Sequence, residues 1–223
     1  MNTEMLKTNE LLDLSHTIAA DLISKFEYPW QALPEIGDFI KAIGPTLSQD
    51  EYEYREPDIW IHKSANVYPS AYITGPAIIG PKAEIRHCAF IRGKAIVGEN
   101  AVVGNSTELK NVVLFDNVQV PHYNYVGDSI LGYKAHLGAG AITSNVKSDK
   151  LNTVVKFNGG TIETGMKKFG AIVGDNVEVG CGSVLNPASV IGRNTNIYPL
   201  SMVRGYVEAN SIYKKAGEIA QKN

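Results

Sequence analysis

Residues 61–110 read IHKSANVYPSAYITGPAIIGPKAEIRHCAFIRGKAIVGENAVVGNSTELK, and this stretch decides the fold. An aliphatic residue recurs in it at every sixth position, namely Ile61, Val67, Ile73, Ile79, Ile85, Ile91, Val97, Val103 and Leu109. A small residue stands four positions after each of the first eight, namely Ala65, Ala71, Ala77, Ala83, Ala89, Ala95, Ala101 and Thr107. The same period returns at Val173, Val179, Leu185, Ile191, Ile197 and Val203. A repeat this regular predicts a repeat architecture.

The six-residue period fits neither a helix, whose period is about 3.6, nor an alternating strand, whose period is about 2. It predicts a mainly β protein built as a parallel β-helix, in which three hexads close one triangular coil. The aliphatic side chains would point inward, and residues one coil apart would stack at about 4.8 Å. The step shortens to five between Leu109 and Leu114 and between Val126 and Leu131. The alternative is an antiparallel sandwich of short strands, which predicts irregular turn spacing instead.

The period also divides the chain into parts. Residues 1–58 lack it and show helical apolar spacing, which predicts a small N-terminal helical cap on the open end of the solenoid. The β-helix is expected over residues 59–207. Within it, residues 144–171 break the pattern with Lys, Asn and Gly and are predicted to form a projecting loop. Residues 208–223 are predicted to form a short, amphipathic, helical tail.

Composition excludes several classes of function. The net charge of the 223 residues is −2 and no basic run is present, so we expect no binding to nucleic acid. We expect a cytoplasmic protein without membrane contact, because no apolar stretch could span a bilayer and no signal peptide is visible. The two cysteines, Cys88 and Cys181, do not make a disulfide framework.

Stacking worked out from the period brings two cations together. Arg92 and Lys110 each follow an inward residue by one and lie eighteen apart, so they occupy one column of adjacent coils. Gly127 is next in that column, and Asn145 lies one coil further on, displaced by one residue. Outward basic residues on a solenoid are commonly only solvated surface. A column of cations nevertheless suits an anionic substrate.

An imidazole and a phenol are expected on the same edge. His122 lies two residues after the inward Val120, and Ala139 lies two after Leu137, so Ala139 stacks beside His122. Tyr125 begins the strand that enters the column of cations. The other outward histidines, His62 and His87, look like ordinary surface residues. An imidazole near two cations predicts an anionic substrate with a proton to be removed.

Three strings carry a more specific signal: GNSTELKN at 104–111, VPHYNYVGDSILGYKAHLGAGAITSN at 120–145, and KKFGAIVGDNVEVGCGSVLNP at 167–187. They resemble the acetyltransferase half of the bifunctional glucosamine-1-phosphate N-acetyltransferase / N-acetylglucosamine-1-phosphate uridyltransferase family. The resemblance covers roughly residues 75–205 and implies a left-handed hand for the β-helix. The nucleotide-binding, Gly-rich sequence of the uridyltransferase half has no counterpart in residues 1–58. We therefore expect a stand-alone acetyltransferase without uridyltransferase activity.

The resemblance implies roles by position. It makes His122 the catalytic base and Ala139 the residue whose backbone N–H faces the acetyl carbonyl of acetyl-CoA. The implied substrate-binding residues are Arg92, Lys110, Tyr125, His136, Asn145 and Lys168. Lys168 is implied to reach the site from a neighbouring subunit of a homotrimer whose sites lie between subunits. The implied acetyl-CoA contacts are Ala139, Cys181, Pro199, Lys214 and Lys215.

This chain also departs from the family. His136 stands where Asn is usual, Val146 replaces a Tyr after Asn145, and the segment between Asn145 and Lys168 is longer than the bacterial one. These changes touch the sugar site. The function predicted is acetyl-CoA-dependent N-acetylation of an amino sugar phosphate, glucosamine-1-phosphate being the first choice, in UDP-N-acetylglucosamine and cell-wall synthesis. The alternatives are acylation of another amino sugar or sugar nucleotide, and a catalytically silent solenoid that binds a sugar nucleotide.

A catalytic metal is not expected. Hexapeptide solenoids that hold zinc between subunits use a close pair of histidines and a third from a neighbouring coil. Here His87, His122 and His136 are separated by thirty-five and fourteen residues, and the sequence has no such pair.

Overall fold

The computed structural model describes residues 2–215 and 218–221, without the side chain of Ala220. It is a triangular β-solenoid whose three faces we name A, B and C. Its coils are parallel: Ile61 pairs with Ile79, Ile79 with Val97, Val97 with Leu114 and Leu114 with Leu131. The first two steps are eighteen residues and the next two seventeen, as the shortened hexads predict. The fold class predicted from the sequence, a left-handed parallel β-helix, is confirmed.

Face A begins at the strand Ile59–His62 and contains Ala77–Ile79, Ala95–Val97, Ala171–Val173, Ser189–Ile191 and Tyr206–Val207. Face B consists of Asn66–Val67, Glu84–Ile85, Val102–Asn105, Gln119–His122, His136–Leu137, Glu178–Val179, Asn196–Ile197 and Ser211–Lys215. Face C consists of Tyr72–Ile73, Phe90–Ile91, Ile142–Thr143, Val184–Leu185 and Met202–Val203. Two long strands, Glu108–Leu114 and Tyr125–Leu131, bend from face C into face A.

The inward column forms the core. Ile79, Ile85, Ile91, Val103 and Leu109 are all 0% exposed. The small residues from Ala77 to Thr107 are equally buried, because each stands where the chain turns towards the next inward side chain, whereas Ala65 and Ala71 near the end of the solenoid are only partly buried. The period in the sequence is therefore the packing period of the interior.

The helices of the N-terminal segment lie along a side of the solenoid and not on its open end, so the position predicted for the helical cap is wrong. Its α-helices are Thr8–Leu11, Ala20–Ile23 and Ile36–Ile43, and its 3-10 helices are Glu4–Leu6, Leu14–His16, Pro29–Glu35 and Gly44–Thr46. Ile36–Ile43 packs across the face A strands Ala77–Ile79 and Ala95–Val97, and Pro29–Glu35 packs on Tyr125–Leu131. At the end of the solenoid, a strand at Tyr52–Arg55 pairs antiparallel with Ile59–His62.

The reason lies in the outward side chains of face A, which are apolar coil after coil. They are Ile78, Ile96, Val113, Ile130, Ile172 and Val190, each no more than 1% exposed. An uncovered apolar column of this length would be costly, at about 1.5–3 kcal/mol for each large aliphatic side chain. The N-terminal segment removes this column from water, so its place is a lateral face.

Polar contacts fix the segment to the coils. The backbone N–H of Asp13 donates to Asp175 Oδ2 at 2.7 Å, and the N–H of Tyr133 donates to Asp175 Oδ1 at 2.8 Å. The ring of His16 stacks on that of Tyr133 with centroids 3.7 Å apart. Burial raises the pKa of the Asp175 carboxyl, and the nearby Arg193 and the two N–H donors offset this only in part.

Residues 144–171 leave the coils and return without breaking the stack, since Leu131 pairs with Val173. The segment contains an antiparallel hairpin of Val154–Phe157 and Gly160–Glu163. The hairpin packs on Ser189–Ile191 and Tyr206–Val207 of face A. Phe169, at the end of the segment, is 0% exposed and stacks on Trp30. The segment and the N-terminal helices thus cover the same face.

The predicted helical tail is also wrong for the described residues. Ser211–Lys215 adds a strand to face B, and Glu218–Gln221 pairs antiparallel with it. The reason is that the repeat continues, with Ser211 fully buried in the small position and Tyr213 pairing with Ile197 in the inward one. Among the described residues, no helix is long and apolar enough to cross a membrane.

Candidate active site

Most of the site residues predicted from the sequence lie at two corners of the prism. The B–C corner, between faces B and C, is formed in successive coils by His87, Asn105, His122, Ala139, Cys181 and Pro199. Each carbonyl in this ladder accepts from the next coil: His122 O from Gly140 N at 2.9 Å, and Ala139 O from Gly182 N at 2.8 Å. The C–A corner, between faces C and A, carries Arg92, Lys110 and Gly127. Tyr125 lies on face C between the two corners.

At the C–A corner a cavity of about 380 Å³ brings together the predicted cations. Arg92, Lys110 and Lys168 line it, with Asn111 and Asp128. Lys110 Nζ lies 3.1 Å from Asp128 Oδ2, and Arg92 Nη1 donates to Glu108 Oε1 at 2.6 Å. The bond to Glu108 raises the pKa of the Arg92 guanidinium, which is already charged at any working pH.

Asp128 organises the floor of this cavity. The side chain of Asp128 is buried, and it accepts from Asn111 Nδ2 at 3.0 Å and from Asn145 Nδ2. Asn145 also donates to the hydroxyl of Tyr125 at 3.3 Å. The Oδ1 of Asn111 is buried and has no hydrogen-bond partner within the described part of the chain. An unpaired acceptor beside three cations can receive an O–H or N–H donor from a ligand.

Tyr125 is held as a neutral phenol. Burial raises the pKa of its hydroxyl, and the negative charges of Asp128 and Glu108 raise it further, against smaller opposite effects of Asn145 and Arg92. The group therefore remains a hydrogen-bond donor up to and beyond its ordinary pKa of 10.0. It is suited to bind an anion and unsuited to act as a base near neutral pH.

Lys168 is the last residue before the chain re-enters the coils. Phe169 N donates to Asn145 O at 3.0 Å, and Lys168 forms a β-bridge with Val146. These contacts place Lys168 at the cavity of its own chain. The resemblance implied that this lysine reaches the site from a neighbouring subunit; within a single chain it lines the cavity of its own coils.

At the B–C corner, His122 is exposed and its side chain has no hydrogen-bond partner among the described residues. Its backbone N–H donates to Asn124 Oδ1 at 3.1 Å, and Asn124 Nδ2 donates to the carbonyls of Gly138 and Ala141 in the next coil. The buried amide of Asn124 therefore fixes His122 relative to the Ala139 turn. His122 does not contact the C–A cavity; five residues of strand, at about 3.3 Å each, separate the two corners.

Ala139 presents a free donor. The N–H groups of Gly138 and Gly140 bond to carbonyl oxygens, whereas the N–H of Ala139 has no partner in residues 2–215 and 218–221. The N–H of Cys181, at the same position one coil on, likewise has no hydrogen-bond partner among the described residues. The corner geometry produces this, because the backbone turns its N–H away from the ladder there.

A groove of about 520 Å³ on face B collects other predicted residues. It is lined by His136, Cys181 and Pro199, together with Gly138, Glu178, Tyr198 and Ile212. His136 Nδ1 lies 2.7 Å from Glu178 Oε2. His136 was implied to bind the sugar, but it lies with the implied acetyl-CoA contacts and away from the cavity of Arg92 and Lys110. Its neighbour in the stack is Glu178, which the sequence prediction did not consider.

The two lysines of the tail are on the strand Ser211–Lys215. Both are exposed, and neither lines the groove; Lys215 Nζ lies 2.9 Å from Glu218 Oε2. The sequence prediction also missed Asp128, Asn111 and Glu108. A signal for Asp128 was present, since it directly follows Gly127, which stacks on Lys110 one coil on.

The chain is similar to several known proteins. A family model described as the GMPPB C-terminal domain matches residues 73–158. A bifunctional protein GlmU of Methanococcus vannielii is 35% identical over 147 residues, which are 66% of this chain and 34% of the relative. A bifunctional sugar-1-phosphate nucleotidylyltransferase/acetyltransferase of Sulfurisphaera tokodaii is 32% identical over 112 residues, 50% of this chain and 28% of the relative.

Among solved structures, a putative acetyltransferase of Bacillus cereus is 17% identical with a TM-score of 0.42, covering 76% of this chain and 80% of its own. The chain spans about a third of the length of the curated relatives it matches, at 34% and 28%. The resemblance seen in the sequence is confirmed: the chain is similar to the GlmU proteins over their acetyltransferase region.

Proposed function

We propose that this protein is an acetyl-CoA-dependent N-acetyltransferase that acts on an amino sugar phosphate, with glucosamine-1-phosphate as the first candidate. The observation that carries the proposal is the convergence of Arg92, Lys110 and Lys168 on one cavity. Three cations against the two carboxylates of Asp128 and Glu108 leave a net positive site. A phosphate placed there can accept charge-assisted hydrogen bonds from all three side chains and from the neutral Tyr125.

The sugar would lie on face C between the two corners. In glucosamine-1-phosphate the amine on C2 neighbours the phosphate-bearing C1, so the long side chains of Arg92 and Lys110 would have to reach along face C for that amine to meet His122. The Oδ1 of Asn111, which is buried and has no partner among the described residues, can accept from a donor on the ligand near the phosphate. With a reference pKa of about 6.5, a histidine can take a proton from an ammonium group near neutral pH.

Acetyl-CoA, when bound, supplies the activated acyl group. The residues that would hold it are Ala139, Cys181 and Pro199, and the free N–H of Ala139 fits this role because it can donate to an acyl oxygen. Losing one such donor typically costs about 10²–10³ in rate. No covalent intermediate on the protein is needed, since the two corners belong to one rigid stack.

In the test, the protein is mixed with acetyl-CoA and glucosamine-1-phosphate, and a thiol reagent detects the coenzyme A that is released. His122→Ala should lower turnover by about 10²–10⁴. Because His122 is exposed, the free energy of unfolding of the variant should lie within about 0.5 kcal/mol of that of the wild type. His62→Ala, another outward histidine, is the matched control and should keep full activity. Full turnover in His122→Ala would show that the base is assigned wrongly.

A second function is a solenoid that binds a sugar nucleotide without catalysis. One observation favours it: both predicted phosphate-binding cations of the corner, Arg92 and Lys110, are already paired with carboxylates. Calorimetry with acetyl-CoA separates the two functions. No detectable affinity for acetyl-CoA favours the silent protein. A substrate panel that includes amino sugar nucleotides identifies the acceptor if coenzyme A is released.

We also propose a homotrimer. The outward column of face C is mostly apolar, interrupted by Glu108, and in the described chain it stays partly or fully exposed; its apolar members are Tyr72, Phe90, Tyr125, Ile142, Val184 and Met202. One heterologous contact repeated around a threefold axis would bury it. Sedimentation should give a trimer for the wild type, and Met202→Glu should shift it towards the monomer. A monomeric wild type at working concentration contradicts the proposal.

A further inference from the structure

We propose that Cys88 is a reactive thiol, activated by His87 and Ser70, and a site of mixed-disulfide formation with low-molecular-weight disulfides. The three side chains form a line on the surface of the B–C corner. Cys88 Sγ lies 3.3 Å from His87 Nε2, and His87 Nδ1 lies 2.7 Å from Ser70 Oγ. All three residues are exposed, so a small electrophile can reach the sulfur.

The arrangement gives the imidazole a defined task. Ser70 Oγ accepts from the backbone N–H of Cys88 at 3.1 Å. Its remaining lone pair can accept from an Nδ1–H of His87, and this leaves Nε2 as the acceptor that faces the thiol. A neutral imidazole at that position takes the proton of the thiol, and the third group orients it, which is the general pattern of an activated nucleophile.

The fold holds the three residues in this geometry. Cys88 has a φ of 56°, a left-handed conformation, at the second position of the corner. The carbonyl of His87 accepts from Ser106 N at 3.2 Å in the next coil. Ser70 stands in the preceding coil, eighteen residues before Cys88. The line of Ser70, His87 and Cys88 therefore runs across two stacked coils and does not depend on a loop.

The reaction is thiol–disulfide exchange. The thiol of Cys88 loses its proton to His87 Nε2, and the thiolate attacks one sulfur of a disulfide RSSR. The S–S bond of RSSR breaks, a bond between Cys88 Sγ and one RS group forms, and the other RS⁻ leaves and takes the proton from the imidazolium. The disulfide is the oxidant, and the products are a mixed disulfide at Cys88 and RSH. Such a reaction is fastest where the attacking thiol is readily deprotonated and exposed.

Cys181 is an internal control. It is exposed at the same corner, and in the described residues its sulfur has no hydrogen-bond partner. An ordinary thiol is only about 3% thiolate at pH 7 for a pKa near 8.5. Base assistance can raise the reactive fraction, but the gain is limited because nucleophilicity falls as basicity falls. We expect Cys88 to react about 5- to 10-fold faster than Cys181.

The experiment treats the native protein with glutathione disulfide at pH 7 and follows each cysteine by mass spectrometry of peptides over time. Cys88 should be modified first. His87→Asn should slow Cys88 to the rate of Cys181 and leave Cys181 unchanged, and Ser70→Ala should slow Cys88 in part. In denaturant the two cysteines should react at the same rate. This control excludes the neighbouring residues in the sequence as the cause of the difference in the native protein.

Equal native rates for Cys88 and Cys181, or an unchanged rate at Cys88 in His87→Asn, overturns the proposal. Ser70→Ala serves as the second variant should His87→Asn fail to fold, with the same criterion. The measurement reads covalent modification and not acetyl transfer. Its outcome is therefore independent of whether the proposed catalytic function is right.

Discussion

The cavity at the C–A corner makes a sharp prediction about stability, because its two ion pairs differ in burial. The side chains of Lys110 and Asp128 are 26% and 7% exposed, whereas those of Arg92 and Glu108 are 45% and 32% exposed. Truncating Lys110 leaves a carboxylate with little access to water. Breaking a buried pair costs about 3–5 kcal/mol, and since Lys110 is partly solvated we expect about 2–3 kcal/mol for Lys110→Ala.

Arg92→Ala is the matched substitution. It also removes one cation from the same cavity, but its partner Glu108 can be hydrated. Exposed pairs are worth about 0–1 kcal/mol, so the variant should lie in that range. For a chain of this size about 2–4 °C in melting temperature corresponds to 1 kcal/mol. Lys110→Ala should therefore melt about 4–12 °C below the wild type and Arg92→Ala no more than about 4 °C below it.

The double variant Lys110→Ala with Asp128→Asn tests the cause. The amide of Asn carries no charge and keeps one oxygen to accept from Asn111 or Asn145. The double variant should be more stable than Lys110→Ala alone, with an interaction free energy of at least about 1 kcal/mol. Urea unfolding followed by circular dichroism measures five proteins: the wild type, Lys110→Ala, Asp128→Asn, their double variant and Arg92→Ala. If Lys110→Ala costs no more than Arg92→Ala, the argument from burial fails.

Three further outcomes are expected. Tyr125→Phe should raise KM for the sugar phosphate. It should leave the pH–rate profile below pH 10 unchanged, because the raised pKa of Tyr125 keeps its phenol neutral there. Loss of an alkaline limb near pH 8–9 in this variant would contradict the role of Tyr125 as a hydrogen-bond donor. Ile96→Ala should lower the free energy of unfolding by about 2–4 kcal/mol, although Ile96 points out of the prism. Tyr72→Ala should lower it by about 0.5 kcal/mol or less in the monomer. Equal losses in urea unfolding would mean that face A is not covered from water. Asp175→Ala should cost about 2–4 kcal/mol by leaving two N–H donors unpaired. The pKa of Asp175 is raised in the folded state, so its titration stabilises the fold most at low pH, and the stability of the wild type relative to the variant should fall as pH rises through that pKa, above 3.8.

The interior of this protein was predictable from its sequence because one rule governs it. The aliphatic residue of each hexad points inward and is buried from Ile79 onward, and the two shortened hexads give the two steps of seventeen residues. The stacking of Arg92 over Lys110 followed from the same count. Side-chain pairing did not, because the carboxylate of Asp128 could have faced solvent, and only the register of the long strands brings it to Lys110.

The exterior was predicted less well, for a reason that is visible afterwards. The residues between the small and inward positions of face A are Ile78, Ile96 and Val113, whereas the same position of face B carries Glu84 and Val102. An outward apolar column predicts a cover along the side. The prediction placed the helices at the end because it considered only the inward beat.

The B–C corner shows how chemistry is distributed on such a scaffold. The ladder of carbonyls gives every coil the same backbone at this corner, so His87, Asn105, His122, Ala139 and Cys181 occupy equivalent positions. What differs is the side chain and its surroundings. His87 is paired with Ser70 and Cys88, whereas the side chain of His122 has no hydrogen-bond partner in the part of the chain that the structure describes. If the proposed role of His122 is right, a repeat fold needs no special backbone for catalysis, because the side chain exchanged in a single coil makes the corner a proton acceptor.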